Sequence, residues 1–270
     1  MKKLLYFALI LVLIASASMF GAMAPTQEEE TELRYVDAPL ISTYASETIN
    51  YTTKEYTNIF TDGNAPLYTK AGSIQNACGA VAGSQIVAFY DKYYPELIPG
   101  WDSYYPSNGK YRLQNSTYIT PLMNELYNLM QINVQSPGVS ESDFKSGLQT
   151  YFTNHGYSAS FQDVKTTYAV STTESKAAFR SNKLIVLFTT PGEVYDISET
   201  ANRDTIIPYT YSANHIMIAY GYVEVHYYNT AGWFRSDYYL IVATGWDNPS
   251  TAYFRINSNN LLAAYVINVA

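Results

Sequence analysis

The stretch that decides the fold of this chain is His215-Ile216-Met217-Ile218-Ala219-Tyr220-Gly221-Tyr222. A continuous apolar run of this length predicts a strand that is covered on both faces. Leu184 to Phe188 and Tyr238 to Thr244 are runs of the same kind. Together with two further predicted strands, Ala252 to Ile256 and Ala264 to Val269, they indicate an antiparallel sheet in the C-terminal half.

Helical patterns dominate the part of the chain before this sheet. Apolar residues recur at helical spacing, and Ser140 and Gly156 supply start and stop signals for one of the predicted helices. The predicted helices are Cys78 to Tyr93, Ile119 to Met130, Ser140 to Asn154 and the shorter Ser171 to Ser181. Helices followed by a sheet indicate an α+β class with one domain over residues 51–270. Pro191 to Pro208 is long, polar and acidic, and is predicted to be a surface loop.

The N-terminus has the pattern of a secretory signal peptide. Lys2 and Lys3 precede the apolar run Leu4 to Ala15, and Ala22-Met23-Ala24 supplies small residues for cleavage. We therefore expect residues 1–24 to be removed near Ala24, which leaves a secreted or extracytoplasmic protein without a stable membrane anchor. Residues 25–50 contain three consecutive glutamates and little apolar periodicity, and are predicted to be a linker or a short pro-segment.

Composition narrows the function classes. The chain has 270 residues, 16 lysines and arginines against 23 acidic residues, and a net charge of −7. Nucleic-acid binding depends on neutralising phosphates, so an acidic chain with few cations is not expected to bind nucleic acid. Its 28 tyrosines suit half-buried strand surfaces.

Cys78 is the single cysteine of the chain. In an exported protein an unpaired cysteine is either an inert buried hydrophobe or is retained for its thiolate. The segment Gln75-Asn76-Ala77-Cys78-Gly79 places it at the start of a predicted helix, where the helix dipole stabilises a thiolate. Amides of the first turn, together with an upstream Asn or Gln, can hold an oxyanion. The alternative is a tightly packed helix start built from small residues.

Three histidines are candidates for a base. His155 follows a helix beside Gly156, where a cap is the ordinary explanation, and His226 lies near a predicted turn. His215 opens the buried strand and is placed to meet a helix start across a cleft. A core histidine whose nitrogens bond to the backbone is the alternative. The three histidines have no metal-ligand spacing with acidic residues, so no metal and no cofactor are expected.

The order of these motifs resembles the papain-like cysteine peptidases, and among them the bacteriocin-processing-like branch of secreted bacterial proteins. Cys78-Gly79 at a helix start is followed by Asn214-His215 before an apolar strand, and then by Trp246-Asp247-Asn248-Pro249. The similarity spans roughly Ser73 to Val269. It implies a papain-like fold in which an N-terminal helical part packs on a C-terminal antiparallel sheet.

The resemblance also implies residue roles. Cys78 matches the nucleophile and His215 the general base. Asp247, just before Asn-Pro, matches the carboxylate that orients the base in the processing branch, whereas alignment on Trp246 places Thr244 at the corresponding position of papain. The family's oxyanion glutamine lies about six residues before the cysteine, where this chain has Gly72, so Gln75 is the nearer candidate.

The expected function is therefore a secreted cysteine peptidase that hydrolyses a peptide or protein substrate through a Cys-His-Asp triad and a thioester intermediate. Three alternatives stay open at this point. The chain could be an inactive module of the same type that binds peptide or cell-wall material, or it could catalyse another acyl transfer or amidase reaction with the same pair. A structural surface protein with a buried cysteine is the third.

Overall fold

One strand of fifteen residues, His215–Asn229, organises the fold. The computed structural model describes residues 32–37, 40–43, 45–61, 65–70, 74–101, 117–167 and 169–270. The predicted signal peptide, residues 1–24, lies outside them. The strands are β1 (Arg34–Tyr35), β2 (Leu40–Thr43), β3 (Glu47–Asn50), β4 (Thr53–Phe60), β5 (Val139–Ser140), β6 (Ala159–Asp163), β7 (Ile185–Thr189), β8 (Gly192–Thr200), β9 (Arg203–Tyr211), β10 (His215–Asn229), β11 (Gly232–Ala243), β12 (Thr251–Arg255) and β13 (Leu261–Val269). The helices are α1 (Cys78–Asp91), α2 (Ile119–Leu129), α3 (Glu141–Asn154) and α4 (Thr172–Arg180), with a 3-10 turn at Pro95–Leu97.

Eleven of these strands form a single sheet, so the predicted fold class is wrong. The order is β2-β9-β8-β12-β11-β10-β7-β13-β6, with β3 on β9 and β4 on β10, and the pairings are antiparallel. The chain is mostly antiparallel sheet, and it is not a helical part packed on a C-terminal sheet of the expected papain-like kind. Short strands near the N-terminus join this sheet through partners far along the chain, which local periodicity does not reveal.

Part of the sheet closes into a ring. Strand β10 pairs with β11, β11 with β12, β12 with β8 and β8 with β9. The segment 47–60 then completes the circuit, because β3 pairs with β9 and β4 pairs with β10. Between β3 and β4, Tyr51 donates its amide to Asn202 and Thr52 donates its amide to Tyr228, at 3.0 and 2.8 Å. The ring is therefore closed, as in a barrel, and its shortest join is the single pair of Tyr253 on β12 with Tyr195 on β8.

A bulge divides β10 into two halves. Ala219 faces Val242 and Gly221 faces Ile241, so Tyr220 is an extra residue relative to β11. The same core, shared with α1, takes even-numbered residues up to the bulge and odd-numbered residues after it. These are Ile216, Ile218 and Tyr220, and then Val223, Val225 and Tyr227. The alternation of side chains therefore changes parity at the bulge, as an inserted residue requires.

Each face of the sheet carries its own core. One face packs against α1, α2 and α3, whose buried residues include Phe89, Leu126 and Phe144. The other face contains Met217, Tyr222 and Leu240 together with Phe179 of α4. This double coverage explains why β7 and the first half of β10 are continuous apolar runs, and it confirms that interpretation of the sequence.

The predicted helices are present, and their ends follow the sequence signals. Ser140 caps α3 by accepting the Asp143 amide at 3.0 Å, and Ser171 caps α4 by accepting the Glu174 amide at 3.3 Å. Helix α1 is buried along its whole length. Its many small residues make this possible, because they let neighbouring elements approach closely. A Cβ on Gly79 would lie 2.8 Å from Val139.

Two stretches differ from the sequence prediction. Pro191 to Pro208, predicted as a surface loop, lies mostly in the hairpin of β8 and β9, which turns at Asn202 with a φ of 60°. Of residues 25–50, predicted as a linker or short pro-segment, residues 25–31 lie outside the described residues, and the described part from 32 onward contributes β1, β2 and β3. The strand conformation of both stretches comes from pairing with partner strands rather than from apolar alternation.

Gly147→Ala tests the close packing of α2 on α3. The added Cβ would lie 2.6 Å from Met130 Cγ and 2.7 Å from the Met130 amide nitrogen. Alanine is better than glycine in a helix by about 1 kcal/mol, but overpacking against backbone atoms that cannot rotate away costs about 3 kcal/mol, so we expect a net loss of about 2 kcal/mol. The free energy of unfolding of each variant is measured by urea denaturation. The neighbouring exposed Ser146→Ala is the control, and equal stability of the two variants would contradict the packing argument.

Candidate active site

Cys78 is the first residue of α1, and the preceding turn is shaped by asparagine. Asn76 has a φ of 55°, a left-handed conformation that asparagine tolerates, and its side chain donates to Asn133 at 2.9 Å. Ala77 provides no side-chain cap for the helix. The first-turn amides therefore remain available to groups near the Cys78 sulfur.

The Cys78 thiol is buried but lies among backbone donors. Its residue is 3% exposed, and the backbone amides of Ile216, Gly79 and Cys78 itself favour the thiolate. Burial raises the pKa of the Cys78 thiol far above its ordinary value, the Asp37 carboxylate raises it further, and the three amides oppose both effects. In this arrangement Cys78 is a neutral thiol.

His215 begins β10, and its ring is fixed on three sides. Nε2 lies 2.7 Å from the Thr244 carbonyl oxygen and Nδ1 lies 3.4 Å from the Val36 carbonyl oxygen. The ring stacks on Trp246 with centroids 4.6 Å apart and planes 12° apart. Burial lowers the pKa of His215, although the two carbonyls and Asp37 act in the opposite direction. The imidazole is therefore neutral at pH 7.

The unequal contacts assign the proton of this neutral ring. A neutral imidazole has one N–H, and two carbonyl oxygens face its nitrogens. The shorter contact, to Thr244, takes the N–H, so Nε2 donates and Nδ1 carries the lone pair. Nδ1 is thus the basic nitrogen, and the Val36 carbonyl lies against it.

The structure brings Cys78 and His215 to neighbouring places without joining them. The Ile216 amide, one residue after His215, lowers the pKa of the Cys78 thiol, and the Asp37 charge acts on both groups. Within the described residues, however, the His215 ring donates to the Thr244 carbonyl, and its Nδ1 lies against the Val36 carbonyl and not the thiol.

Among the described residues, the Asp247 and Gln75 side chains form no hydrogen bond with this pair. Asp247 is exposed, and the position expected for its carboxylate is taken by the Thr244 carbonyl oxygen. Gln75 is exposed as well, and its main-chain oxygen accepts from the Asn133 side chain at 3.1 Å. Thr244 itself is held by its hydroxyl, which donates to the Pro249 carbonyl oxygen at 2.6 Å.

Residues 34–37, which we call the strap, cover the pair. Strap residues Arg34 and Tyr35 pair with β5, and Val36 donates its amide to the Asn214 carbonyl oxygen at 3.0 Å. The Asn214 side chain donates in turn to the Arg34 carbonyl oxygen, also at 3.0 Å. The strap thus lies between β5 on one side and the residue before His215 on the other.

Side chains anchor the strap at both ends of β1. Arg34 forms an ion pair with Asp143 at 3.0 Å and donates to the Gly138 carbonyl oxygen at 2.9 Å. Tyr35 is 2% exposed and packs edge-to-face on Phe188 with ring centroids 5.1 Å apart. Burial of one aromatic ring contributes about 2–3 kcal/mol, so Tyr35 is the main apolar anchor.

Sequence reasoning missed the strap and Asn133; it named Thr244 as the alternative to Asp247, but not through its main-chain carbonyl. The strap is short and its partners lie about a hundred residues away or more. A backbone carbonyl has no sequence signature at all. Asn133 could have been suspected from the turn after α2, since asparagine accepts its φ of 62°.

Comparisons with known proteins identify no relative. No family model matches the chain, and neither a curated protein nor a solved structure matches it. Within the described residues, no cluster of three or more His, Cys, Asp or Glu could hold a metal ion. Among the helices of the described ranges, none is long and apolar enough to cross a membrane.

Tyr35→Ala tests whether the strap covers the thiol. Loss of a buried aromatic ring costs about 3 kcal/mol. If this cost weakens the binding of the strap to the rest of the chain, the fraction of molecules with the strap detached rises about a hundredfold. We expect alkylation of Cys78 by iodoacetamide near neutral pH to accelerate accordingly, measured by mass spectrometry of the intact protein. Leu33→Ala, at a residue that is 53% exposed, is the control. Equal labelling rates in both variants would show that the strap does not limit access.

Proposed function

We propose that the chain is a cysteine hydrolase of peptide bonds, with Cys78 as nucleophile and His215 as general base. One observation carries the proposal. His215 is oriented through Nε2 by the Thr244 carbonyl, and its other nitrogen faces the strap; the next residue, Ile216, has a backbone amide that favours the Cys78 thiolate. An oriented base next to a thiol at a helix start is the arrangement that nucleophilic catalysis requires.

The proposed reaction is acyl transfer to the thiol. Nδ1 of His215 takes the Cys78 proton, and the thiolate attacks the substrate carbonyl carbon. Amides of the first turn of α1 stabilise the oxyanion, and His215 then returns the proton to the leaving amine. Water hydrolyses the thioester. Nε2 keeps its proton throughout, because its bond to Thr244 stabilises the imidazolium that forms transiently.

The walls around the strap favour an extended peptide as substrate. Asn214 accepts the Val36 amide and donates to the Arg34 carbonyl, while β5 pairs with the same segment from the other side. These groups recognise peptide backbone rather than particular side chains. A substrate strand that replaced the strap would meet the same donors and acceptors.

The covered pair is a resting form in this proposal. A neutral buried thiol and a neutral buried imidazole cannot exchange a proton while the Val36 carbonyl lies against Nδ1. Movement or removal of the strap lets water reach both groups, which lowers the pKa of the thiol and raises the pKa of the imidazole.

A second candidate is a catalytically silent peptide-binding module. The 3% exposure of Cys78 favours it, since an inert cysteine is typically a buried small hydrophobe. The two candidates differ once the strap is loosened. A silent module leaves Cys78 with ordinary thiol reactivity, whereas a nucleophile paired with His215 alkylates much faster than free cysteine near neutral pH.

The peptidase proposal predicts the behaviour of two variants made in the Tyr35→Ala background. We expect Cys78→Ala to abolish hydrolysis of a fluorescently labelled unfolded protein, and His215→Ala to reduce kcat about 10²–10⁴-fold. His226→Ala is the matched control, since that ring bonds to Ser236 and Glu224 instead. Hydrolysis that survives Cys78→Ala would refute the proposal.

Asp247→Asn tests which group orients the His215 ring, the Thr244 carbonyl seen in the structure or the Asp247 carboxylate predicted from the sequence. Because the Thr244 carbonyl holds Nε2, we expect kcat of the Tyr35→Ala enzyme to stay within about twofold of its parent. Loss of a true triad carboxylate lowers kcat by about 10⁴-fold. A drop of that size would mean that Asp247 replaces Thr244 when substrate binds.

A further inference from the structure

Lys54 lies between two carboxylates at the junction of β3, β4 and β9. Its Nζ is 3.1 and 3.0 Å from the two oxygens of Asp204, and 3.0 Å from an oxygen of Glu199. Asp204 is 1% exposed and the Lys54 side chain 17% exposed, whereas the Glu199 side chain is 52% exposed. The amine therefore contacts one buried carboxyl group and one that reaches water.

Two tyrosines fix the buried carboxyl group. Tyr51 donates to one oxygen of Asp204 and Tyr227 donates to the other, each at 2.9 Å. Both oxygens of Asp204 therefore have fixed donors, and Lys54 approaches both of them almost equally. Donors aimed at a carboxyl group polarise it toward nucleophilic attack and hold the oxyanion that results.

We propose that Lys54 and Asp204 form an intramolecular isopeptide bond, with Glu199 as the proton acceptor. The Lys54 nitrogen bonds to the Asp204 side-chain carbonyl carbon, and one carboxyl oxygen leaves as water. An ammonium and a carboxylate become an amide and one water molecule, so atoms and charge balance without an oxidant, a reductant or a co-reactant. A lysine amine is an established nucleophile toward carbonyl carbon.

Proton transfer is the demanding part of this step. Burial alone would lower the pKa of Lys54, but its hydrogen bonds to Asp204 and Glu199 outweigh burial and raise it. The amine must therefore pass a proton to a neighbour before it attacks. Glu199 touches the same nitrogen and is open to solvent, so it can carry two protons in turn from that nitrogen to one Asp204 oxygen. The first proton, released before attack, converts that oxygen to a hydroxyl in the tetrahedral adduct, and the second, released from the adduct, lets it leave as water. Groups held in fixed contact react with effective concentrations of about 10⁵–10⁸ M.

The position of the pair gives the bond a structural effect. Lys54 lies on β4 and Asp204 on β9, 150 residues apart in the chain. The segment 47–60 passes from β9 to β10 here to complete the ring of strands, so the bond would tie this junction covalently. This inference is independent of the proposed peptidase activity, because none of its residues contacts Cys78 or His215.

Peptide mapping of the purified full-length chain tests the proposal. Trypsin cuts after Lys and Arg, so an unlinked chain yields residues 35–54 separately from residues 204–235. With the bond, cleavage after Lys54 is blocked and residues 35–70 stay joined to residues 204–235, one water molecule lighter than their sum. We expect the joined peptide, and its fragmentation spectrum locates the bond. Separate peptides with an intact Lys54 would overturn the proposal.

Acetylation of the denatured protein supplies an internal control. Lys54 in an amide resists acetylation, whereas Lys176 should react fully, although it lies 2.7 Å from a single carboxylate, Glu224. Full acetylation of both lysines would mean that Lys54 and Asp204 form only an ion pair, and would overturn the proposal. Lys54→Arg and Asp204→Ala should each eliminate the joined peptide, and Glu199→Gln should reduce its yield. An unchanged yield in Glu199→Gln would overturn the role of Glu199.

Discussion

The backbone of β10 must find hydrogen-bond partners on both edges over fifteen residues, and the rest of the fold follows from this requirement. One edge is shared, since β7 takes residues 215–219 and β4 takes residues 221–228. The other edge belongs to β11. Unpaired amides in such a buried strand would each cost about 1–3 kcal/mol, so distant segments of the chain are recruited to cover it.

The same requirement produces the candidate site. His215 is the first residue of β10, so its neighbours are the loop before the strand and the carbonyl that follows β11. Helix α1 packs on β10, which brings its first turn to Ile216. The strap then completes the burial of both groups. The nucleophile and the base belong to a helix and a long strand of the core, whereas the two-residue strand that covers them is held by a few named contacts, those of Arg34, Tyr35 and Asn214.

The apolar runs and capped helices could be predicted from sequence because each carries a local signal. The pair Cys78 and His215 could be proposed for the same reason, since a helix start and a strand start are readable positions. The ring of strands could not, because β3 and β9 are polar and meet through long-range pairing. Nor could the orienting group be found, because a backbone carbonyl such as that of Thr244 is available from every residue type.

The extra residue Tyr220 separates two registers within one strand. The residues before Tyr220 pair with β7, in a register that begins at His215. The residues after it pair with β4, as part of the ring of strands. Mutations that lengthen or shorten one half of β10 therefore need not propagate into the other, because a bulge absorbs a shift in alternation. The chain can thus alter the strands that form the ring while the alignment of His215 with the start of α1 is kept, which makes the two halves separable units of evolutionary change.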